Sequence, residues 1–428
     1  MKGNSMIKNR GGKLVAALAA TALAATSVVA LGGVANAAES NTITLWAPTA
    51  NAGMPNQYEA VAKAFEAKYP QYNVEFKEVG QAGNYATVIS TALQAGNAPD
   101  VFKVAPGIGQ ADSLVTLARA KYLKDLSSTT ASKINPASAA SSLNLAGKVY
   151  GLGLDLTAGD VVANLSLMEK DGLKWPTTFG EMLTQCKTAV DKGRTFFGLA
   201  GGMVPNLQLL VAALSQNTYI DKDWSAKRQA RKVTFANDSG WRTTFDQVRQ
   251  MKAAGCFQKG AEAGGFADAI DANFFGKKAY AVFVPGSTSI PFSNYVPPLK
   301  GETIVTAYIP AVKAANTRIP ASVNYALGVN AKTKASKAAL AFINFASTAA
   351  GQSAFQKITG GLPMDGKGTL LKEYNLIKPL LTAGKTFDLP FASFTNTQVS
   401  TVMAKGAQGL LTGQTEIGKI LKAMDSAW

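Results

Sequence analysis

The sequence predicts an α/β fold in which a parallel sheet is covered by helices. Between residues 41 and 104, β-type runs alternate with amphipathic helical segments in the order strand, helix, strand, helix, strand. This alternation is typical of a parallel sheet, because each helix returns the chain to the edge where the next strand begins. The chain has 428 residues, of which 47% are hydrophobic and 16% charged, so it can bury the core of about two or three domain-sized units.

The first part of the chain carries the clearest pattern. Apolar side chains at three- and four-residue spacing predict helices that end at Pro70 and Gly96, both of which are common helix stops. The strands between them are rich in β-branched and aromatic residues. The predicted elements are strands at 41–46, 74–79 and 101–104, and helices at 58–69 and 85–93.

The rest of the chain is predicted to be richer in helix. Residues 285–289 are predicted to form a loop, because Pro and Gly are followed there by Ser and Thr. The C-terminal segment is helical in pattern and is broken at Gly413. The other predicted elements are helices at 179–191, 207–215, 241–254, 266–275 and 335–346, and strands at 279–284, 303–309 and 325–329.

The N-terminus has the pattern of a secretory signal peptide over residues 1–37. Four Lys and Arg residues precede an uncharged stretch from Leu14 to Ala35, and Ala35-Asn36-Ala37 has the small residues that signal peptidase recognises. Cleavage would remove those four positive charges, lowering the net charge from +16 to +12, and would export a mature chain beginning at Ala38. The alternative is a retained anchor, since the stretch is just long enough to span a bilayer of about 30 Å.

The composition excludes several kinds of site. The chain has no histidine, which rules out Ser-His-Asp and Cys-His catalytic centres and every metal site that needs His. The two cysteines, Cys186 and Cys256, lie far from any CxxC pattern, which in an exported protein favours a structural disulfide. Two free buried thiols remain the alternative. The basic run 227–232 is interpreted as a solvated loop, so we expect no nucleic-acid partner.

A set of motifs follows in a characteristic order along nearly the whole mature chain. They are Ile43-Thr-Leu-Trp46, Phe65-Glu-Ala-Lys-Tyr-Pro70, Ala95-Gly-Asn-Ala-Pro-Asp-Val101, Gly172-Leu-Lys-Trp-Pro-Thr-Thr-Phe-Gly-Glu-Met182, Phe275-Gly-Lys-Lys-Ala-Tyr-Ala-Val282 and Gly360-Gly-Leu-Pro363. In this order they resemble the extracellular solute-binding proteins of ABC importers, in the family of the maltose-binding protein and its oligosaccharide-binding relatives.

The resemblance implies a two-lobed, periplasmic-binding-protein-like α/β fold with a ligand cleft between the lobes. Crossing hinge segments would join a first lobe of residues 41–150 with 308–350 to a second lobe of 151–307 with 351–428. Hinge closure would remove the ligand from water. The chain departs from the family at Ala163-Asn164 and at Ser287-Thr288, where relatives carry aromatic residues, and these changes weaken the case for a maltodextrin-type ligand.

Candidate binding residues come from loops near the predicted strand ends and from positions that the resemblance places at the cleft. Ligands of open α/β sheets bind at the carboxyl ends of strands, and a sugar needs an aromatic face together with groups that pair with its hydroxyls. We expect the ligand contacts to be Trp46, Asn51, Asn84, Asp100, Asp155, Thr157, Asn206, Gln208, Ser287, Thr288, Asn324, Tyr325 and Phe391. The alternative for Trp46 is core packing.

The predicted function is extracytoplasmic capture of a carbohydrate, with an oligosaccharide favoured, and its delivery to the transmembrane subunits of an ABC permease. We expect a monomer that contacts the membrane through its transporter and uses no cofactor, metal or catalytic residue. One alternative is a different ligand: an acidic sugar, a polyamine or a phosphodiester, an anion being slightly favoured by the positive charge. The others are an exported glycan-active enzyme with Asp100 and Asp155 as its carboxylate pair, and a surface adhesin held by an uncleaved leader.

Overall fold

In a computed structural model of the chain, residues 40–50, 54–81, 83–108, 110–135, 139–362, 364, 370–394 and 397–428 are described. The predicted signal peptide and the candidate contact Asn51 lie outside these ranges. Residues Glu39–Trp428 form one compact unit. Within the described ranges, no helix is both long and apolar enough to cross a bilayer.

Twelve strands in the described part of the chain form two larger sheets and one short hairpin. The hairpin pairs the fourth strand with the fifth. The strands are β1 (Thr42–Ala47), β2 (Asn73–Glu78), β3 (Val101–Val104), β4 (Asn144–Leu145), β5 (Lys148–Val149), β6 (Leu152–Ala158), β7 (Val161–Asn164), β8 (Thr195–Gly198), β9 (Ala279–Phe283), β10 (Ile304–Ala307), β11 (Ile319–Val329) and β12 (Thr386–Phe387).

Helices cover these sheets. Besides the α-helices there is a π-helix at Ala267–Phe275. The α-helices are α1 (Gln57–Lys68), α2 (Tyr85–Ala95), α3 (Leu114–Arg119), α4 (Ala131–Ile134), α5 (Ala140–Leu143), α6 (Leu165–Lys170), α7 (Phe179–Asp191), α8 (Val204–Leu214), α9 (Trp224–Gln229), α10 (Ser239–Ala253), α11 (Ser289–Tyr295), α12 (Ser336–Ala346), α13 (Ala349–Thr359), α14 (Lys378–Thr382), α15 (Thr397–Thr412) and α16 (Ile417–Ala427).

The first sheet has the strand order β12–β11–β3–β1–β2, and β6 also pairs with β11. β1 runs parallel to both β2 and β3, which confirms the parallel arrangement predicted from the alternating pattern. β11 is antiparallel to β3 and to β6. The second sheet has the order β10–β7–β9–β8, in which only the β8–β9 pair is parallel. The predicted lobe boundaries stay a prediction.

Local signals explain why α1 and α2 form where the sequence predicts them. The side chain of Asn56 caps α1 by accepting a hydrogen bond from the Tyr58 amide, and Pro70 follows its last turn. Phe65 is fully buried on the inner face of that helix. α2 ends at Gly96, whose φ of 76° is a left-handed conformation that glycine adopts without steric cost.

The sequence did not predict β6, β7 or β8, all of which are almost entirely buried. β7 and β8 lack the apolar–polar alternation of a half-buried strand because both of their faces are covered. In β6, Leu152, Leu154 and Leu156 do alternate with Gly153, Asp155 and Thr157, yet both sets of side chains are mostly buried. The prediction for residues 285–289 was also wrong, because a 3₁₀ turn at Gly286–Thr288 leads directly into α11 there.

Aromatic packing and a covalent link stabilise the helices around the second sheet. Trp224 and Trp241 are buried, with ring centroids 5.8 Å apart, and both pack on Phe235. Cys186 of α7 and Cys256, which follows α10, form a disulfide. This bond ties together two segments that are 70 residues apart in the chain.

Candidate functional site

A cavity of about 540 Å³ lies where the carboxyl ends of strands from both sheets meet. From the first sheet, Pro48–Ala50 follow β1, Gln81 follows β2 and Ala105–Pro106 follow β3. From the second sheet, Met203 follows β8 and Val284–Pro285 follow β9. Strand ends of this kind are where open α/β sheets bind ligands, and the volume suits a small organic molecule.

The cavity wall combines uncharged hydrogen-bonding groups with large apolar surfaces. Its amide side chains are Gln57, Gln81, Gln110, Gln208 and Asn324, and its hydroxyl groups include those of Thr49, Ser287, Thr288, Ser322 and Thr359. Its apolar side chains include Met54, Met203, Phe266, Ile270, Phe292 and Phe391. Such a wall can hold a molecule that has both an apolar face and several hydroxyl groups.

Gln208 of α8 is the most deeply placed of these amides. The residue is 1% exposed, and neither Oε1 nor Nε2 of its side chain has a hydrogen-bond partner within the described residues. The Oγ atom of Ser322 on β11 is likewise buried without a partner. Buried polar atoms without partners cost free energy, so these groups favour a ligand that supplies hydrogen bonds.

Lys103 is the one charged residue among the described lining residues, and a neighbouring carboxylate neutralises it. Its Nζ lies 2.7 Å from Oδ2 of Asp112, whose side chain is fully buried. The ammonium group also lies 5.3 Å from the ring centroid of Tyr85. The Tyr85 hydroxyl donates to the Lys103 carbonyl at 3.0 Å, so this part of the wall is held in place by its own contacts.

Asp155 of β6 lies close behind the lining residues Tyr325 and Thr359. Burial raises the pKa of its carboxyl group to about 7, while the nearby Thr359 hydroxyl and Tyr325 amide act in the opposite direction. Gly361 packs so tightly against this carboxylate that any Cβ there would lie 2.0 Å from Oδ2. The tyrosine ring at position 325 is held edge-on by Phe355, at 5.4 Å between centroids.

Thr157 and Ser287 connect the two sheets beside the cavity. Thr157 lies on β6, Ser287 lies in the turn after β9, and their hydroxyl oxygens are 3.1 Å apart in a buried hydrogen bond. Thr157→Val should lower the free energy of unfolding by about 1 kcal/mol, because the buried Ser287 hydroxyl loses its partner. Urea denaturation measures this, with the exposed Thr184→Val as control; equal losses in the two variants would contradict the role of the Thr157 contact.

Comparisons with known proteins agree with this architecture. The sequence profile of the family described as bacterial extracellular solute-binding protein matches residues 51–353. The chain belongs to this family of extracellular solute-binding proteins. Membership confirms the resemblance predicted from the sequence motifs and implies that the protein is exported.

Individual relatives of this solute-binding protein share only a modest part of its sequence. It is 26% identical over 389 residues to the multiple sugar-binding protein of Streptococcus mutans, covering 85% of this chain and 87% of that one. A structure described for xylan utilisation by Caldanaerobius polysaccharolyticus has a TM-score of 0.76 at 19% identity, covering 90% and 99% of the two chains. The GacH receptor of Streptomyces glaucescens, studied unliganded and with acarbose, has a TM-score of 0.70 at 20% identity, covering 91% and 97%. These likenesses confirm the two-lobed α/β fold.

The cavity of the solute-binding protein brings together part of the predicted contact set. Six predicted residues line it: Gln208, Ser287, Thr288, Asn324, Tyr325 and Phe391. Asp155 and Thr157 lie behind this lining rather than in it, where Thr157 contacts Ser287. Their role as ligand contacts stays a prediction, and Asn51 lies outside the described residues.

Four other predicted contacts do not reach the cavity lining. Asp100 precedes β3 and so lies at the amino edge of the sheet, where it accepts hydrogen bonds from Thr44 and Thr333. The side-chain amide of Asn206 is hydrogen-bonded to the backbone: its Oδ1 accepts from the Ala200 amide, and its Nδ2 donates to the Phe283 carbonyl. Trp46 packs against the core under Lys77, whose Nζ is 5.4 Å from the ring centroid, and Asn84 is exposed at the start of α2.

Sequence reasoning missed several lining residues of this solute-binding protein. Gln81 and Lys103 lie in or just after predicted strands of the first sheet, so the rule of carboxyl strand ends could have found them. Met203 and Ser322 could not be found in this way, because β8 was not predicted and β11 begins before its predicted start. No group of acidic or cysteine side chains in the described ranges is arranged to hold a metal ion.

Proposed function

We propose that this protein binds a carbohydrate, with an oligosaccharide favoured, and delivers it to the transmembrane subunits of an ABC permease. The observation that carries the proposal is the cavity of about 540 Å³ at the strand ends, where amides and hydroxyls alternate with aromatic and methionine side chains. Amides and hydroxyls can both donate to and accept from sugar hydroxyls. The names of the relatives, which refer to multiple sugars, xylan and acarbose, support the same class of ligand.

The aromatic side chains of the cavity offer surfaces for the apolar face of a sugar ring. Tyr325 and Phe391 lie in the lining from the side of the first sheet and the C-terminal segment, and Phe266 and Phe292 lie near the second sheet. Tyr325 keeps its orientation through edge contacts with Tyr58 and Phe355. A ring fixed in this way loses little conformational freedom when a ligand stacks on it.

A binding role without catalysis fits the position of the acidic residues. A glycan-active enzyme would need two carboxylates on either side of the scissile bond, and Asp100 with Asp155 was the candidate pair. Neither residue lines the cavity, and the Asp100 carboxylate is occupied by Thr44 and Thr333. We also propose that the protein is an extracytoplasmic monomer and that it reaches the membrane only through its permease.

Saturating ligand should stabilise the mature protein measurably. At about 100 times the dissociation constant, a bound ligand adds about 2.7 kcal/mol to the free energy of unfolding. The measurement is a thermal-shift screen of residues 38–428 against neutral and acidic oligosaccharides, with amino acids, polyamines and phosphate as controls. A response restricted to one of the controls, or a new reducing end after incubation with an oligosaccharide, would contradict the proposal.

A further inference from the structure

The described part of the cavity wall carries no unpaired charge although the chain is strongly basic. The sequence carries a net charge of +16, yet Lys103 is the only charged side chain among the described lining residues. Its ammonium group is paired with the buried Asp112 at 2.7 Å, so it is not available as a free positive charge. An anionic ligand would have to give up part of its hydration there without gaining a counter-charge from these residues, which is costly.

Gln208 differs from every other amide of this wall in its surroundings. It is 1% exposed, and both polar atoms of its side chain lack partners. Its neighbours in the lining, Met203, Pro205 and Leu209, offer no side-chain hydrogen bond. By contrast, the similarly buried Asn206 is fully paired through Ala200 and Phe283, so burial alone does not leave an amide of α8 unpaired.

We propose that Gln208 determines ligand specificity in this cavity by pairing, through both Oε1 and Nε2, with an uncharged ligand whose buried end carries hydroxyl groups. The inference rests on the proposed function and adds to it the charge of the ligand and the residue that recognises it. A hydroxyl group can donate to Oε1 and accept from Nε2, whereas a carboxylate can only accept. A carboxylate placed there would leave Oε1 unpaired and its own charge uncompensated.

Matched pairs of sugars test the charge of the ligand. Lactose is compared with 3′-sialyllactose, and xylotriose with its glucuronic-acid-substituted form; raffinose and stachyose extend the neutral set. Calorimetric titration of the mature protein should show at least 10-fold tighter binding of the neutral member wherever a pair binds, with little change between low and high salt. Equal or tighter binding of an acidic member would overturn the inference and leave carbohydrate binding intact.

Substitution of Gln208 tests its role in recognition. Gln208→Leu and Gln208→Met keep the approximate volume and remove both polar atoms, so we expect binding of the best neutral sugar to weaken about 10- to 100-fold. The unliganded variants should melt at the same or a higher temperature than the parent, because an unpaired buried amide has been replaced by an apolar group. If the role of Gln208 were purely structural, its replacement would lower the melting temperature instead.

The control variant is Gln94→Leu, an exposed position on α2 outside the cavity, which should bind as the parent does. If both Gln208 variants fold and bind within twofold of the parent, Gln208 does not recognise the ligand and the inference fails. If no sugar of either charge binds the parent protein, the proposed carbohydrate function fails and the inference fails with it.

Discussion

Asp155→Asn should stabilise the protein more at pH 8 than at pH 5, by a difference of about 2 to 3 kcal/mol. Asp155 is fully buried on β6, and neither of its carboxylate oxygens makes a standard hydrogen bond. Burial raises its pKa from 3.8 to about 7. The ionised form is therefore disfavoured in the folded protein, and asparagine removes that ionisation.

The direction of the pH effect follows from the two pKa values. Between pH 3.8 and about 7, the folded protein keeps a proton on Asp155 that the unfolded chain has already lost. Stability from this group therefore falls as the pH rises through that window and becomes constant above it. The groups that interact electrostatically with Asp155 include the hydroxyls of Tyr58, Tyr325 and Tyr374, whose pKa values burial raises, so they stay neutral there.

Urea denaturation of the parent and the variant at pH 5 and pH 8 measures the difference. Asp160 is also buried with a raised pKa, so both proteins should retain some pH dependence, and only the difference between them reports on Asp155. Asp191→Asn, at the exposed end of α7, is the control and should have the same small effect at both pH values. An equal effect of Asp155→Asn at pH 5 and pH 8 would show that its pKa lies outside this window.

Removal of the disulfide should lower the free energy of unfolding by about 3 to 4 kcal/mol. The bond between Cys186 and Cys256 closes a loop with a sequence separation of 70 residues, and such a link restricts the unfolded chain more as the loop lengthens. The double variant Cys186→Ser/Cys256→Ser also places two hydroxyls where buried sulfur atoms were, which adds to the loss.

Adding a reductant distinguishes the effect of the disulfide bond from the effect of replacing the two cysteines. The parent protein should lose most of this stability in excess reductant, whereas the double variant should unfold at the same urea concentration with and without it. The single variants Cys186→Ala and Cys256→Ala should resemble the reduced parent. If the parent unfolds at the same urea concentration in the oxidised and reduced states, the disulfide does not contribute to stability as expected.

The sequence predicts some parts of this protein well because the signals are local. α7 matches its predicted range of 179–191, and α1 and α2 begin and end at the caps and breakers beside them. β1 and β3 were found within about one residue, and their parallel pairing follows from the helices between them. The order of motifs also identified the family, which the profile match over residues 51–353 confirms.

The candidate site was predicted only in part, for two physical reasons. Asp100 was expected beside the ligand, yet it comes before a strand, and residues that precede parallel strands lie at the opposite edge from the carboxyl ends. Asn206 and Gln208 are two residues apart on the same helix, but the backbone of Ala200 and Phe283 takes up the first amide and leaves the second unpaired. That difference depends on a strand far away in the sequence.

The sequence by itself therefore determined the α/β class, most of the long helices in the described residues, the absence of any histidine-dependent chemistry and membership of the solute-binding family. Only the tertiary structure decided which side chains share one cavity, because Gln208, Ser287, Tyr325 and Phe391 come from segments separated by tens of residues. It also decided the raised pKa of Asp155 and the pairing of Lys103 with Asp112. Caps and periodicity act between near neighbours, whereas burial and charge pairing depend on contacts that exist only after the chain has folded.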